Sequence, residues 1–202
     1  MELYLVMASV GLLTALGWRS DRFLSAWILE PYEVVHHRKW WSLLTHGFLH
    51  ADFTHLLFNG ISLYVAGEAV LMVFKALFGV MGGAWFVLFF VSAIPVSALP
   101  SLLKHKNNPN YRALGASGAV AAVLMVFVMF FPKVSLMMFF LPIPIPAWLF
   151  GIIYLATEFA LSKRGGTGIA HDAHFMGSIY GILISLWIDP SVLSRFISEV
   201  IG

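Results

Sequence analysis

Residues 76–103 read ALFGVMGGAWFVLFFVSAIPVSALPSLL, an apolar stretch without a charged residue between Lys75 and Lys104. A helix that crosses the roughly 30 Å hydrocarbon layer of a bilayer needs about 20 such residues. The stretch therefore predicts a membrane-spanning helix over residues 82–103. It is too long for the buried core helix of a domain of this size, so it indicates a membrane protein.

The composition extends this expectation to the whole chain. Of its 202 residues, 60% are hydrophobic and 11% are charged, whereas soluble domains average about 25% charged residues. These values exclude an ordinary water-soluble globule. The formal net charge of +2 is spread over several loops and gives no case for nucleic-acid binding. The absence of cysteine excludes disulfides, thiolate metal sites and cysteine nucleophiles.

Charges and prolines divide the other hydrophobic runs into spans. Pro142, Pro144 and Pro146 forbid a continuous helix over residues 134–146, so we expect an extended or interfacial piece before the fifth span. The sequence predicts an all-α polytopic membrane protein with a long first loop. The single domain covers residues 1–202, with spans at about 3–18, 53–74, 82–103, 114–131, 147–161 and 169–188.

The unusual polar residues collect near the starts of alternate spans. Consecutive spans alternate in direction, so spans two, four and six enter the membrane from the same face. Their polar side chains are therefore expected to meet at one depth below that face. The residues concerned are His46, His50, His55 and Asn59 at span two, Ser117 at span four, and His171, Asp172 and His174 at span six.

Span four begins with Gly115-Ala116-Ser117-Gly118, a serine flanked by small residues. The free backbone N–H groups of a first helical turn can hold a developing oxyanion. Small residues are also the usual means by which membrane helices approach each other closely. Taken alone, helix packing is the simpler explanation of this block.

Span six contains His174, followed at three and seven residues by Gly177 and Gly181. The glycines lie close to one stripe of the helix and leave a groove for a partner backbone. If span four is that partner, His174 comes within reach of Ser117. An intramembrane histidine is a functional candidate by default, although a hydrogen-bonded structural role stays open. His171, one turn closer to water, is the competing base.

Span two carries His55 and Asn59, four residues apart and hence on one helix face. Both side chains can donate hydrogen bonds toward a developing negative oxygen. His46 and His50 precede the span, and for them a structural role in anchoring the loop is the simpler interpretation.

Together these blocks, HxxxxHxxxN, GxSG and AHxxGxxxG, resemble the rhomboid family of intramembrane serine proteases over residues 40–181. The resemblance implies a six-helix rhomboid core in which Ser117 attacks and His174 takes its proton. It further implies that His55, Asn59 and the Ser117 amide stabilise the oxyanion, next to Gly115 and Ala116. The supporting residues would be His46, His50, Gly118, Gly177 and Gly181.

The resemblance also implies substrates and surroundings. The substrates would be single-pass transmembrane proteins that unwind locally within the lipid bilayer, and no cofactor or metal is expected.

Most lysines and arginines fall in the odd-numbered loops, so the positive-inside rule places the active face in the cytoplasm. The family opens outward, and we adopt that orientation. The lack of an appended domain or presequence favours a bacterial inner membrane, with the site facing the periplasm or exterior.

Two other functions remain open at this point. A zinc-dependent membrane hydrolase would use His46, His50, His171, Asp172 and His174 as ligands and need no serine. A non-catalytic rhomboid-like protein would bind client membrane proteins without cutting them. The presence of both Ser117 and His174 argues against the second alternative.

Overall fold

The computed structural model describes residues 1–138, 141–164 and 168–202, and these residues are mostly helical. The helices and strands are α1 (Glu2–Arg19), α2 (Asp21–Trp27), α3 (Pro31–His37), α4 (Ser42–Thr45), α5 (Phe53–Phe78), α6 (Gly82–His105), α7 (Ser117–Phe130), β1 (Ser135–Met138), β2 (Leu141–Pro146), α8 (Ala147–Arg164), α9 (His171–Ile188) and α10 (Val192–Ile201).

Helices α5 and α6 form an antiparallel hairpin with defined ends. The Asp52 side chain accepts a 2.8 Å hydrogen bond from the His55 amide and so caps the first turn of α5. Gly79 ends the helix with a φ of 55°, a left-handed conformation that favours glycine. A Cβ at Gly82 would clash with the backbone of Lys75, so glycine is needed for the tight return into α6.

Helix α7 lies at the centre of the helices. Every residue from Gly118 to Met129 except Leu124 is buried. The helix contacts α5, α6, α8, α9 and α10. A helix that is apolar on all sides is stable only when it is surrounded, and neighbouring helices surround α7. Its 14 residues correspond to a length of about 21 Å.

Ion pairs hold the long connection between α1 and α5 in place. The Lys39 ammonium lies 2.7 Å from Glu30 Oε2, and Arg112 Nε lies 2.9 Å from Glu30 Oε1. Leu29 and Ala113 exchange two backbone hydrogen bonds of 3.0 Å each. The first connection is therefore attached to the segment that leads into α7.

An antiparallel hairpin of β1 and β2 precedes α8, with Ser135 opposite Pro146. The expectation of an extended piece before the fifth span is thus met by a strand pair. Residues 139–140 lie outside the described residues. Prolines are tolerated here because a two-stranded hairpin has free edges, where a missing N–H leaves no ladder bond unmade.

The outer surface of the described helices is apolar. Large side chains are exposed on several helices, a pattern that water-soluble monomers avoid over such areas. Examples are Leu12 on α1, Val65 and Met72 on α5, Leu88 on α6, Ile152 on α8, and Leu183 and Trp187 on α9.

A membrane span needs a helix that is long and apolar enough to cross the hydrocarbon layer, and few helices in the described ranges meet both conditions. One helical stretch, Phe53–His105, which contains α5 and α6, satisfies them. Helices α9 (His171–Ile188) and α10 (Val192–Ile201) are joined by a sharp bend, and they would give a second span if the two are taken together as one. The mostly helical fold is therefore confirmed, whereas the arrangement of six spans stays a prediction.

Candidate active site

Ser117 is the first residue of α7 and is half-buried. Span four was expected to begin at residue 114, yet the helix begins three residues later. The cause is Gly115, whose φ of 128° is incompatible with a helix, followed by Ala116 as the N-cap residue. This turn leaves the Ser117 side chain at the amino-terminal end of α7, beside backbone amides that have no hydrogen-bond partner within the helix.

Gly115 brings the turn close to α5. A Cβ at this position would lie 2.8 Å from His55 Cε1 and 3.1 Å from His55 Nε2, and 3.7 Å from Ser117 Oγ. The Gly115 amide donates a 3.0 Å hydrogen bond to the carbonyl of His46. The turn is therefore bonded to the connection between α1 and α5, through the His46 carbonyl, and it lies against the His55 ring.

The backbones of α7 and α9 touch along the glycine stripe. A Cβ at Gly177 would clash with the Gly118 carbonyl, and a Cβ at Gly181 would clash with the Ala122 carbonyl. Gly118 in turn contacts Ser97 of α6 and lies near the carbonyl of Ala173. Only residues without a side chain allow helix axes to come this close. His174 lies on α9 one turn before Gly177, which makes this contact with α7.

Next to this contact lies a cavity of about 1170 Å³, which is lined in part by residues 110–114 of the segment that leads into α7. It exceeds the common range of ligand sites, about 300–1,000 Å³. Its lining includes six of the polar side chains singled out from the sequence, and these come from three helices. They are His55 and Asn59 of α5, Ser117 of α7, and His171, Asp172 and His174 of α9.

Within the described residues, no hydrogen bond joins Ser117 to His174. Asn59 Nδ2 donates to the carbonyl of His55 at 3.1 Å. Catalytic hydrogen bonds are often loose in ligand-free sites and tighten when substrate binds. The roles of these residues stay predictions.

His46 and His50 lie behind the cavity wall, in the part of the chain that is described. His46 Nδ1 donates to the Ser42 carbonyl at 2.9 Å, and His50 Nδ1 lies 3.0 Å from Thr14 Oγ1. Burial lowers the pKa of each imidazole to about 4, so both are neutral near pH 7. Their hydrogen bonds fit loop anchoring. Within the described residues, the group whose ligand atoms lie close enough for a metal ion is Glu158, His171 and His174, and it does not contain His46 or His50, which the zinc alternative had included.

Glu158 of α8 was not singled out from the sequence. It is buried at 7% exposure. Its Oε2 lies 2.6 Å from His171 Nδ1 and its Oε1 lies 3.2 Å from His174 Nδ1. A carboxylate inside an apolar segment is itself a functional signal. That signal was available in the sequence, although nothing there shows that Glu158 faces α9.

The Rhomboid domain family matches residues 37–190. The chain is 29% identical over 145 residues to RHOMBOID-like protein 12, mitochondrial, of Arabidopsis thaliana, covering 68% of this chain and 43% of that protein. It is 28% identical over 176 residues to Rhomboid protein 1, mitochondrial, of Saccharomyces cerevisiae, covering 85% and 48%. It is 27% identical to an uncharacterized mitochondrial rhomboid protein of Schizosaccharomyces pombe over an alignment of 207 positions, covering 78% of this chain and 52% of that protein. The chain spans about half the length of these relatives.

Proposed function

Because this chain belongs to the rhomboid family, we propose that it is an intramembrane serine endopeptidase with Ser117 as nucleophile and His174 as general base. Most members of the family are intramembrane serine proteases, and membership makes the chain an integral membrane protein. The substrates proposed are transmembrane segments of other membrane proteins.

One observation carries the proposal: Ser117, His174, His55 and Asn59 line a single cavity, although they come from three helices. The close contact of α7 with α9 fixes the two proposed catalytic side chains on neighbouring backbones. The Ser117 hydroxyl would attack the scissile carbonyl while His174 takes its proton, then returns it to the leaving amine. His55, Asn59 and the Ser117 amide would donate to the oxyanion.

The length of α7 explains how such a site meets water. Its roughly 21 Å is shorter than the hydrocarbon layer of about 30 Å. In the proposed six-span arrangement, α7 would therefore start below the membrane surface, with Ser117 at that depth. The cavity above it would supply the water that hydrolysis needs. The spans would be α1, α5, α6, α7, α8 and α9.

Covalent labelling tests the nucleophile directly. A fluorophosphonate forms a bond between phosphorus and an activated serine oxygen, with fluoride as the leaving group and the serine proton passing to the base. We expect the folded chain in detergent to be modified at Ser117, as shown by the mass of the peptide. We also expect a chelator to leave both labelling and cleavage of a model transmembrane substrate unchanged.

The alternatives predict different outcomes. Unmodified Ser117, together with cleavage that stops on chelation, would favour the zinc hydrolase. A client-binding protein would retain the transmembrane peptide and leave it uncut.

The compartment and orientation belong to the same proposal. All three relatives carry mitochondrial in their names, which favours a mitochondrial inner membrane over the bacterial inner membrane expected from the sequence. We place the amino terminus on the cytoplasmic or matrix side and the cavity on the opposite side.

Single cysteines test this orientation, because the natural chain has none. We expect Lys106→Cys, at an exposed position beside the cavity, to react with a membrane-impermeant maleimide only from the outer side. Gly202→Cys is the control at the other face and should react only after the membrane is opened. Reaction of Lys106→Cys from the inner side alone would reverse the orientation.

A further inference from the structure

Glu158 joins two histidines of α9 through one carboxylate. Its two oxygens lie 2.6 Å from His171 Nδ1 and 3.2 Å from His174 Nδ1. The three side chains are nearly enclosed: measured on the side chain alone, the exposed fraction is 10% for Glu158, 7% for His171 and 15% for His174. The carboxylate comes from α8 and the imidazoles come from consecutive turns of α9.

The contact constrains the protonation of both rings. An ionised carboxylate only accepts hydrogen bonds, so each facing Nδ1 is favoured as N–H. In a neutral imidazole the other nitrogen, Nε2, then carries the lone pair. In an imidazole ring Nδ1 and Nε2 flank Cε1 and point in diverging directions, so when Nδ1 of His174 faces Glu158, Nε2 points away from that carboxylate. This is the nitrogen required of a base that serves Ser117.

The two contacts differ in quality. His171 Nδ1 makes a hydrogen bond to Glu158. His174 Nδ1 is within ion-pair distance, but no hydrogen bond is formed at its buried position. A small rotation of the ring or carboxylate would align it, and such tightening is common when substrate enters a site.

The same three residues have ligand atoms within 4.8 Å of one another and could hold a metal ion. Ligand atoms around tetrahedral zinc lie about 3.4 Å apart, as follows from bonds of about 2.0–2.1 Å. The 2.6 Å between Glu158 and His171 is shorter and matches a charge-assisted hydrogen bond. The geometry therefore favours a carboxylate–imidazole arrangement.

We propose that Glu158 is a positioning residue that holds His174 as the Nδ1–H tautomer and stabilises its imidazolium during catalysis. This inference rests on the proposed Ser117–His174 mechanism and adds a third member to it. During acylation the Ser117 Oγ–carbon bond forms and the hydroxyl proton moves to His174 Nε2. The carbon–nitrogen bond then breaks and that proton passes to the leaving nitrogen, while Glu158 keeps its charge throughout.

The test compares Glu158→Gln with wild type on a model transmembrane substrate. Glutamine has the same shape but lacks the charge and can also present a donor to the ring. We expect kcat to fall by about 100-fold or more with KM changed little, since loss of the orienting carboxylate in a comparable triad costs up to about 10⁴-fold. We expect the acid limb of the kcat/KM profile to move to lower pH, because the imidazolium loses its counter-charge. In the described part of the chain, the other titratable groups with a recorded interaction with the His174 ring are His55 and His171, and both are unchanged in this variant.

Two further variants make the result specific. Glu158→Asp keeps the charge on a shorter arm and is expected to recover part of the lost kcat. Glu33→Gln is the matched control, because Glu33 makes a 2.9 Å contact with His37 Nδ1 on the exposed surface, far along the chain from the site. It should keep wild-type kcat and pH profile.

The outcomes separate this inference from the proposed function. Wild-type kcat together with an unmoved acid limb in Glu158→Gln would overturn the positioning role. A kcat that is lower in Glu158→Asp than in Glu158→Gln, at equal folded fraction, would overturn it too. Stoichiometric zinc in the purified chain, lost in Glu158→Gln, would also overturn it. Undiminished cleavage by Ser117→Ala would instead overturn the proposed function. If Glu158→Gln does not fold, the kcat and pH limb of Glu158→Asp decide.

Discussion

Replacing Ser117 with alanine is expected to lower the rate of substrate cleavage by at least about 1000-fold. The variant loses the only oxygen that the proposal places at the start of α7 as a nucleophile, and alanine adds no bulk there. Folding should be nearly unaffected, because Ser117 is half-buried and makes no side-chain hydrogen bond in the described residues. Cleavage of a model transmembrane substrate by purified protein measures the effect.

Two comparisons decide how this result is interpreted. Nucleophile and base act as a unit, so Ser117→Ala combined with His174→Ala should cut no more slowly than either single variant. Ser185→Ala removes a buried hydroxyl of α9 that donates to the Gly181 carbonyl and should retain wild-type cleavage. A Ser117→Ala protein as active as wild type would contradict the nucleophile assignment.

The second large effect is expected from Gly177→Val. The Cβ alone would clash with the Gly118 carbonyl, and that backbone cannot move without displacing the start of α7. Overpacking of this kind typically costs about 1–3 kcal/mol of unfolding free energy, and more where backbone must shift. A displacement of about 1 Å between reacting groups can lower the rate about 100-fold. Thermal unfolding in detergent and cleavage measured on the same preparation would show both losses.

Gly11→Ala is the matched control for this prediction. Gly11 lies in α1, and a Cβ there would meet no atom within 4 Å. The change should leave cleavage unaltered and the unfolding temperature unchanged or slightly raised, because alanine is the better helix former. Normal stability and activity in Gly177→Val would mean that α7 and α9 are not held in the close contact described above.

The helix positions were largely predictable from hydrophobicity and proline. The expected second and third spans begin at the same residues as α5 and α6, and the fifth begins with α8 at Ala147. The short helices α2, α3 and α4 were not predicted, because their amphipathic pattern is too brief to distinguish from a loop. Their arrangement depends on the ion pairs of Glu30 with Lys39 and Arg112, which join distant parts of the sequence.

The site was predictable only in part, for a related reason. Spacing along one helix placed His55 with Asn59 and His174 with Gly177, because such pairs share a helix face. No local pattern shows how far α8 is rotated about its axis, so the contact of Glu158 with His174 needed coordinates. The positive φ of Gly115 was also hidden, since glycine beside serine is equally common in helix contacts.

The hydrogen bond between the Gly115 amide and the His46 carbonyl has a consequence for assembly. The left-handed turn before Ser117 is secured by a loop that is synthesised earlier but must first settle against α1, where Thr14 donates to the carbonyl of Phe48. His174 lies on α9 and is synthesised after both of these segments. Under the proposed mechanism, a partly inserted chain would therefore lack part of the catalytic site and would leave neighbouring membrane proteins uncut until α9 is in place.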